Sequence, residues 1–409
     1  MQQDKTNPHR LGPRPLPLHL ATINMTWMSS RAALPSLKNG SFSWSPSLKA
    51  EADQLCDAIA PFSEDTFRAA LDAEAYLRGC AFLKGVKAYH RHPYVRDVID
   101  PPSIWQVGNT RILDYGGAAD GPVMLAVPSL INKAFVLDLT QKRSLMRSMA
   151  KAGIRSFLLD WGDVGEAEKH MGLEDYVLGR LKEAVEEIHR QTNKPVALVG
   201  YCMGGVLTTA LCALSSEKIS ALVLLATPWD FHAGEGNHKQ VITASRGLLE
   251  TTINLFGLLP VDAIQTLFAA IDPYSILQKF ADFSKLDPDS EAAKKFVAME
   301  DWLNDGVALA GPIAKECLFD WYVENRPALG CWEMDGHYID PAEIDCPTLL
   351  FVPQKDRIVV PQSAHYLGQL IPKAEVRKVD AGHIGMVTGR LAQSSLYSPL
   401  AKWLLSNGS

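Results

Sequence analysis

Three side chains in this sequence, a cysteine, an aspartate and a histidine, stand where an acyl group can be taken up and passed on. Cys202 lies in Leu198-Val199-Gly200-Tyr201-Cys202-Met203-Gly204-Gly205, directly after an apolar run. The pattern reads as a nucleophile elbow: a buried strand, a sharp turn bearing one reactive side chain, then a helix. Glycines flank the nucleophile because the turn is strained and neighbouring backbones come close. Serine is the usual residue at such a turn. Cysteine is the stronger nucleophile and the better leaving group. That choice suits thioester chemistry, in which the acyl group must arrive and then leave again.

A cysteine nucleophile needs a base and a group that orients the base. In elbow enzymes the chain order is nucleophile, acid, histidine. Two downstream loops have the right positions, Gln354-Lys355-Asp356-Arg357 and Gly382-His383-Ile384-Gly385. Each follows a strand, and open α/β sheets place their sites at the carboxyl ends of strands. Asp356 is therefore expected as the acid and His383 as the base. The bland alternatives are an Asx-type turn at Asp356, a loop-capping histidine at 383 and a small buried hydrophobe at 202. Asp230, after the preceding strand, competes for the acid's place. Asp160 reads as a structural or pocket-edge carboxylate. The rival histidines are worse placed: His189 is on a helix, His365 starts one, and His9 and His19 lie in the N-terminal arm. The oxyanion donors are expected to be the backbone N–H groups of Met203 and Ile131, the latter from the loop Val127-Pro128-Ser129-Leu130-Ile131-Asn132-Lys133.

These side chains need a sheet to hold them. From Trp105 onward, short apolar runs alternate with helical periodicity. Strands are predicted at 111–115, 122–127, 154–159, 196–200, 219–226, 348–352 and 375–379. Helices are predicted at 138–151, 173–191, 205–214, 363–370 and 398–405. Continuous apolar strands between helices imply a mostly parallel sheet covered on both faces, with an inserted helical cap. Together with the elbow, this resembles the α/β-hydrolase fold. The expected organisation is an irregular N-terminal arm over 1–48, in which Pro13, Pro15 and Pro17 favour extended backbone, and a helical segment over 49–104. The α/β core follows over 105–228 and 341–409, with the cap at 229–340. Phe256, Leu258 and Phe268 of the cap are candidates to keep water from the site.

Composition closes off several classes. The 409 residues are 47% hydrophobic and 21% charged, which is globular. A formal net charge of −6, with no basic block, argues against nucleic acid. No apolar run reaches the roughly 20 residues that span a bilayer. Seven scattered cysteines, with no C-x-x-C and no zinc spacing, suggest no disulfide framework and no metal. A reducing cytoplasm is the expected compartment.

The elbow alone also resembles that of dienelactone hydrolase. Further motifs are more specific. Val127-Pro-Ser-Leu-Ile-Asn-Lys133, Leu137-Asp-Leu139, Leu159-Asp-Trp-Gly162 and Thr227-Pro-Trp-Asp-Phe231 resemble the polyhydroxyalkanoate synthase family. So do Trp302-Leu-Asn-Asp305, Glu324-Asn325, Gly382-His-Ile-Gly385 and, upstream, Tyr89-His-Arg-His-Pro-Tyr94, all in that family's order. The resemblance implies Cys202 as nucleophile, Asp356 as acid and His383 as base. It implies an acyltransferase that polymerises (R)-3-hydroxyacyl-CoA and releases coenzyme A, with no cofactor, the thioester being substrate. The growing polyester is the implied partner, the arm and cap could join a second copy of the chain, and an insoluble product suggests a polymer-granule surface. The chain is shorter than the longest synthases and longer than those working with an accessory subunit, so the need for such a subunit stays open. Arg357 departs from the family, whose members often carry histidine directly after the acid. The competing reading is a cysteine hydrolase: a thioesterase, a polyester depolymerase or a lactone hydrolase.

Overall fold

The computed structural model describes residues 10–234 and 238–408. They fall into two compact units, one of residues 1–95 with 265–304 and one of residues 96–264 with 305–409. The first unit is helical. It contains α1 (Leu16–Lys38), α2 (Lys49–Ile59), α3 (Glu64–Arg91) and two further helices, Ser275–Phe283 and Glu291–Asn304. Its core joins Phe82, Val86 and Tyr89 of α3 to Phe280, Phe283, Ala293 and Val297. Arg10 pins the start of the described chain by binding Asp301 at 2.7 Å and the His92 carbonyl at 2.6 Å.

This unit corrects the expected irregular arm. Residues 16–38 form one continuous α-helix, and residues 1–9, His9 among them, lie outside the described chain. Pro15 is the residue before the helix and Pro17 sits in its first turn. Proline is tolerated in a first turn because the N–H groups there have no intrahelical partner. The alternating prolines thus start a helix rather than extend the chain. The cap is also divided differently, since residues 265–304 belong with the N-terminal helices.

The second unit is built on an eight-stranded sheet. Its strands are β1 (Ser103–Val107), β2 (Thr110–Asp114), β3 (Val123–Val127), β4 (Arg155–Asp160), β5 (Val196–Tyr201), β6 (Ile219–Leu225), β7 (Thr348–Pro353) and β8 (Ala374–Val379). The spatial order is β1-β2-β4-β3-β5-β6-β7-β8. β2 runs antiparallel to β1 and β4, and the remaining neighbours pair in parallel. Every residue of β3, β5 and β7 is buried. This explains their unbroken apolar reading, because helices cover both faces of a parallel sheet. The connecting helices are α4 (Leu145–Lys151), α5 (Lys182–Thr192), α6 (Met203–Leu214), α7 (Pro361–Leu370), α8 (His383–Thr388) and α9 (Ser398–Asn407).

Two elements differ from expectation. Residues 138–144 form a short antiparallel ribbon before α4, not the first turns of a helix. Asp138 is fully buried there and binds Arg147 and the Tyr115 hydroxyl, which fixes the ribbon. α5 is preceded by a wider π-helical stretch over Asp175–Leu181.

Candidate active site

The site forms where β5 ends. Cys202 adopts φ 55° and ψ −124°, a left-handed backbone that is strained for any residue with a Cβ. Its N–H donates to the Leu225 carbonyl of β6 at 2.8 Å, and its own carbonyl accepts from Gly205 at 2.9 Å. The glycines of the motif are required by space. A Cβ at Gly200 would stand 2.4 Å from the Gly205 Cα, and one at Gly204 would stand 2.1 Å from the Val127 carbonyl oxygen. A Cβ at Gly205 would reach the Thr227 hydroxyl at 1.9 Å. α6 can therefore begin directly against the exits of β3 and β6. Its N-terminus, with the favourable end of the helix dipole, lies at the half-buried Cys202 sulfur.

Asp356 and His383 come to this point from the next strand exits. His383 opens α8, and its Nδ1 lies 2.6 Å from Asp356 Oδ2. The other oxygen of Asp356 accepts the N–H groups of Ile358 at 2.8 Å and Val359 at 2.9 Å. Three donors thus hold one buried carboxylate, which leaves it little freedom to turn. Tyr201 packs beside the imidazole with ring centres 5.3 Å apart. Burial alone would lower the His383 pKa. The charge of the Cys202 sulfur, and hydrogen bonds to Asp356 and Cys202, outweigh it and push the value up to about 10. The arrangement therefore favours the protonated imidazole.

The rival side chains are engaged elsewhere. Asp230 Oδ1 accepts from Asn325 Nδ2 at 2.8 Å and from the His232 N–H at 2.9 Å. Asp160 binds Arg111 at 2.9 Å. His189 bonds the Lys194 carbonyl, and His19 is buried within α1 beside the Arg14 carbonyl.

The oxyanion candidates sit on either side of the α6 start. Met203 is its first residue, next to Cys202. Ile131 lies on the loop after β3, and its N–H points towards the Ser129 hydroxyl at 3.4 Å, a long contact. The Ile131 carbonyl accepts from Val307 at 2.9 Å, which ties the loop to the chain returning after residue 304.

Sequence reasoning missed the aromatic wall. Phe231, from the loop after β6, packs on Tyr322 with ring centres 4.9 Å apart and on Trp321 at 5.5 Å. Trp332 meets Trp321 at 5.2 Å and Trp229 at 5.9 Å. Burial, and then the charges of Cys202, Cys317 and Asp356, raise the Tyr322 pKa. The only available signal was aromatic density in the cap. Phe256, by contrast, is 53% exposed, and Phe268 lies in the helical unit. Neither can be assigned to a wall at Cys202. Among the described residues, no cluster of three or more His, Cys, Asp or Glu could hold a metal ion, and no helix is long and apolar enough to cross a membrane.

The alpha/beta hydrolase fold family model matches residues 122–389. The chain belongs to that family. Among solved structures, this alpha/beta hydrolase is similar in fold to a monoacylglycerol lipase of Paleococcus ferrophilus. The TM-score is 0.50 and the identity 16%, over 74% of this chain and 100% of the lipase. Sequence comparison gives more specific relatives. The chain is 27% identical over 324 residues to the poly(3-hydroxyalkanoate) polymerase subunit PhaC of Haloarcula marismortui, covering 75% of this chain and 68% of that protein. It is 26% identical to the PhaC subunit of Haloferax mediterranei, covering 73% of this chain and 62% of that protein. To that of Synechocystis sp. it is 28% identical, covering 69% and 77%. The resemblance carried by the motifs thus extends over most of this alpha/beta hydrolase.

Proposed function

We propose that this chain polymerises (R)-3-hydroxyacyl-CoA into polyhydroxyalkanoate, through an acyl group held on the Cys202 sulfur. The observation that carries the reading is a cysteine, rather than a serine, in the strained elbow, on a sheet whose later strand exits hold the paired His383 and Asp356. The names of the polymerase relatives support the substrate class.

The chemistry follows from the atoms. The sulfur attacks the thioester carbonyl, and the N–H groups of Met203 and Ile131 receive the developing negative charge. Coenzyme A leaves with a proton from His383, which Asp356 holds in one tautomer. The acyl group now sits on sulfur as another thioester, so little energy is lost in the exchange. The 3-hydroxyl of a second acyl unit gives up its proton to His383 and attacks the Cys202 thioester. An oxoester forms, and that bond is more stable than the one broken. A serine at position 202 would hold the acyl group as an oxoester already and remove this downhill step. Productive growth requires water to be kept from the thioester. The relatives carry the word subunit in their names, which supports an accessory partner for this chain as well. A polymer-granule surface and a second copy of the chain belong to the same reading.

Purified protein given (R)-3-hydroxybutyryl-CoA tests it directly. The expected result is coenzyme A release together with rising turbidity, and a hydroxybutyryl adduct on the peptide carrying Cys202. Stoichiometric free hydroxy acid without polymer would establish a hydrolase instead. Polymer formed by the Cys202→Ala variant would overturn the acyl-cysteine route.

A further inference from the structure

The loop that carries Ile131 is held at both ends by groups outside it. At its far end Val307 donates to the Ile131 carbonyl at 2.9 Å, and Asn132 bridges to Gly306. At its near end two elements meet the Pro128 carbonyl. A Cβ on Gly204, in the first turn of α6, would stand 2.5 Å from the Pro128 oxygen, so glycine is what lets the helix come this close. The indole N–H of Trp161 donates to that same buried oxygen at 2.9 Å.

The chain after β4 is built to aim this indole. Asp160 binds Arg111 through Oδ2 at 2.9 Å, and its Oδ1 accepts the Gly162 N–H at 3.2 Å. Gly162 has φ 74°, and a Cβ there would lie 2.3 Å from the Asn109 carbonyl oxygen. Both facts demand glycine at the turn. The Thr110 hydroxyl donates to the Trp161 carbonyl at 3.3 Å. The backbone is therefore tied on both sides of the Trp161 side chain. Its ring packs beside Tyr176 with centres 5.4 Å apart, and only 5% of the residue is exposed. Packing alone needs only an aromatic ring. A buried indole also needs an acceptor for its N–H, and here that acceptor is the carbonyl Gly204 approaches.

We propose that Trp161 is a positioning residue for acyl transfer: its N–H locks the Pro128 peptide against the start of α6 and so holds the Ile131 N–H as the oxyanion donor that acts with Met203. The proposal rests on the reading of Cys202 as the acyl carrier. Backbone donors stabilise an oxyanion when they are already in place as the charge develops. Without the indole bond the Pro128 carbonyl is free to turn and to carry the following residues with it. A misplacement of about 1 Å at a reacting centre costs about a hundredfold in rate. Cys202 itself is held by other groups, Leu225 and Gly205. Trp161 should therefore matter when the sulfur attacks a carbonyl, and not when it attacks a saturated carbon, where no oxyanion forms.

The test compares these two reactions of Cys202 in the full chain. Acylation of residue 202 is followed by quenched mass spectrometry, with (R)-3-hydroxybutyryl-CoA and separately with p-nitrophenyl acetate, each at saturation. Alkylation of the same residue is followed with iodoacetamide. In Trp161→Phe acylation should slow by about 10- to 100-fold, while the alkylation rate and the circular dichroism spectrum stay those of wild type. Benzothienylalanine at position 161 keeps the outline of the indole and lacks only the N–H. It should reproduce the slowing, and it decides the matter if Trp161→Phe does not fold. Acylation at the wild-type rate in the folded variant would overturn the proposal. So would an equal loss of alkylation, which marks a general disturbance of the sulfur. Wild type that is acylated by the nitrophenyl ester and not by the coenzyme A thioester would overturn the polymerase reading alone, and the ester then reads the role of Trp161. Wild type acylated by neither would overturn both.

Discussion

The carboxyl edge of the sheet buries a carboxylic acid, the helix that runs on from Gly311 half-buries another, and they treat it differently. Asp356 follows β7, and three donors meet its two oxygens: two backbone N–H groups and the His383 ring. Glu316 lies at the start of a π-helical stretch, Glu316–Val323, and the indole N–H of Trp332 meets it at 2.7 Å. Burial raises its pKa to about 7 despite that bond. The strand exit supplies backbone donors in a fixed fork, so a carboxylate can be held there as an orienting group. The interior of a helix has already used its N–H groups, so a buried acid among aromatic side chains is favoured as the neutral form. The candidate site on this fold thus follows from the strand ends, and the cap adds aromatic walls and a titrating acid.

The comparison can be broken most severely at the edge. Cys202→Ala should lower acyl transfer by about 10⁴-fold or more with the circular dichroism spectrum unchanged. Asp356→Asn should lower it by about 10⁴-fold, because the amide no longer holds the proton-bearing tautomer. A loss of less than tenfold in either variant would show that the edge is not the reacting centre. The ionisation of His383 should move in step. In the wild type its charged form stabilises the fold fully below its ordinary value of 6.5, and this contribution disappears as pH rises through about 10. In Cys202→Ala the attraction of the sulfur is gone. The imidazole resonance, followed by NMR, should then titrate at lower pH, and an unchanged midpoint would refute the influence of Cys202 on His383.

Backbone crowding at the elbow comes next. Gly200→Ala would press a Cβ against Gly205 and the Thr208 hydroxyl, each 2.4 Å away. An overpacked site of this kind costs about 3 kcal/mol, read from urea denaturation. Asn325→Ala acts where the edge meets the cap. Asn325 donates to Asp230 and accepts from the Phe231 N–H at 2.9 Å. Leaving these groups unmet should cost about 2 kcal/mol. It should also loosen Phe231 against Tyr322, so activity should fall alongside stability. Unchanged activity would separate the aromatic wall from the reaction.

The same contrast explains what was legible in the sequence. β3, β5, β6 and β7 are short apolar runs because both faces of the sheet are covered, and their bounds were readable within a residue or two. Cys202, Asp356 and His383 could be singled out as candidates because each follows such a run in a fixed chain order. β1 was missed, since its residues are half-buried or exposed at the sheet edge and make no apolar run. α1 was missed because prolines that start a helix look, in sequence, like prolines that prevent one. Tyr322 and Glu316 were missed for a different reason. They lie in a π-helical stretch, which shifts side chains off the 3.6-residue period by which a buried face is recognised.

The smallest expected effect tests the cap acid itself. Below pH 4.5, the ordinary value for glutamate, Glu316 is protonated in both folded and unfolded chains. Between 4.5 and about 7 the unfolded chain has released its proton while the folded chain keeps it. The unfolded state then binds fewer protons, so stability falls as pH rises through this window. Above 7 the folded chain must bury a carboxylate among Trp332 and its aromatic neighbours. Glu316→Gln keeps an oxygen for the Trp332 N–H and carries no charge at any pH. The variant should therefore lose less stability than wild type between pH 4.5 and 7. At pH 8 it should be the more stable of the two by on the order of 1 kcal/mol, after allowance for solvent screening. Urea midpoints measured at pH 5 and pH 8 decide the matter. Parallel shifts in the two proteins would mean that the cap tolerates a charge as readily as the strand edge does, and the contrast between the two regions would fail.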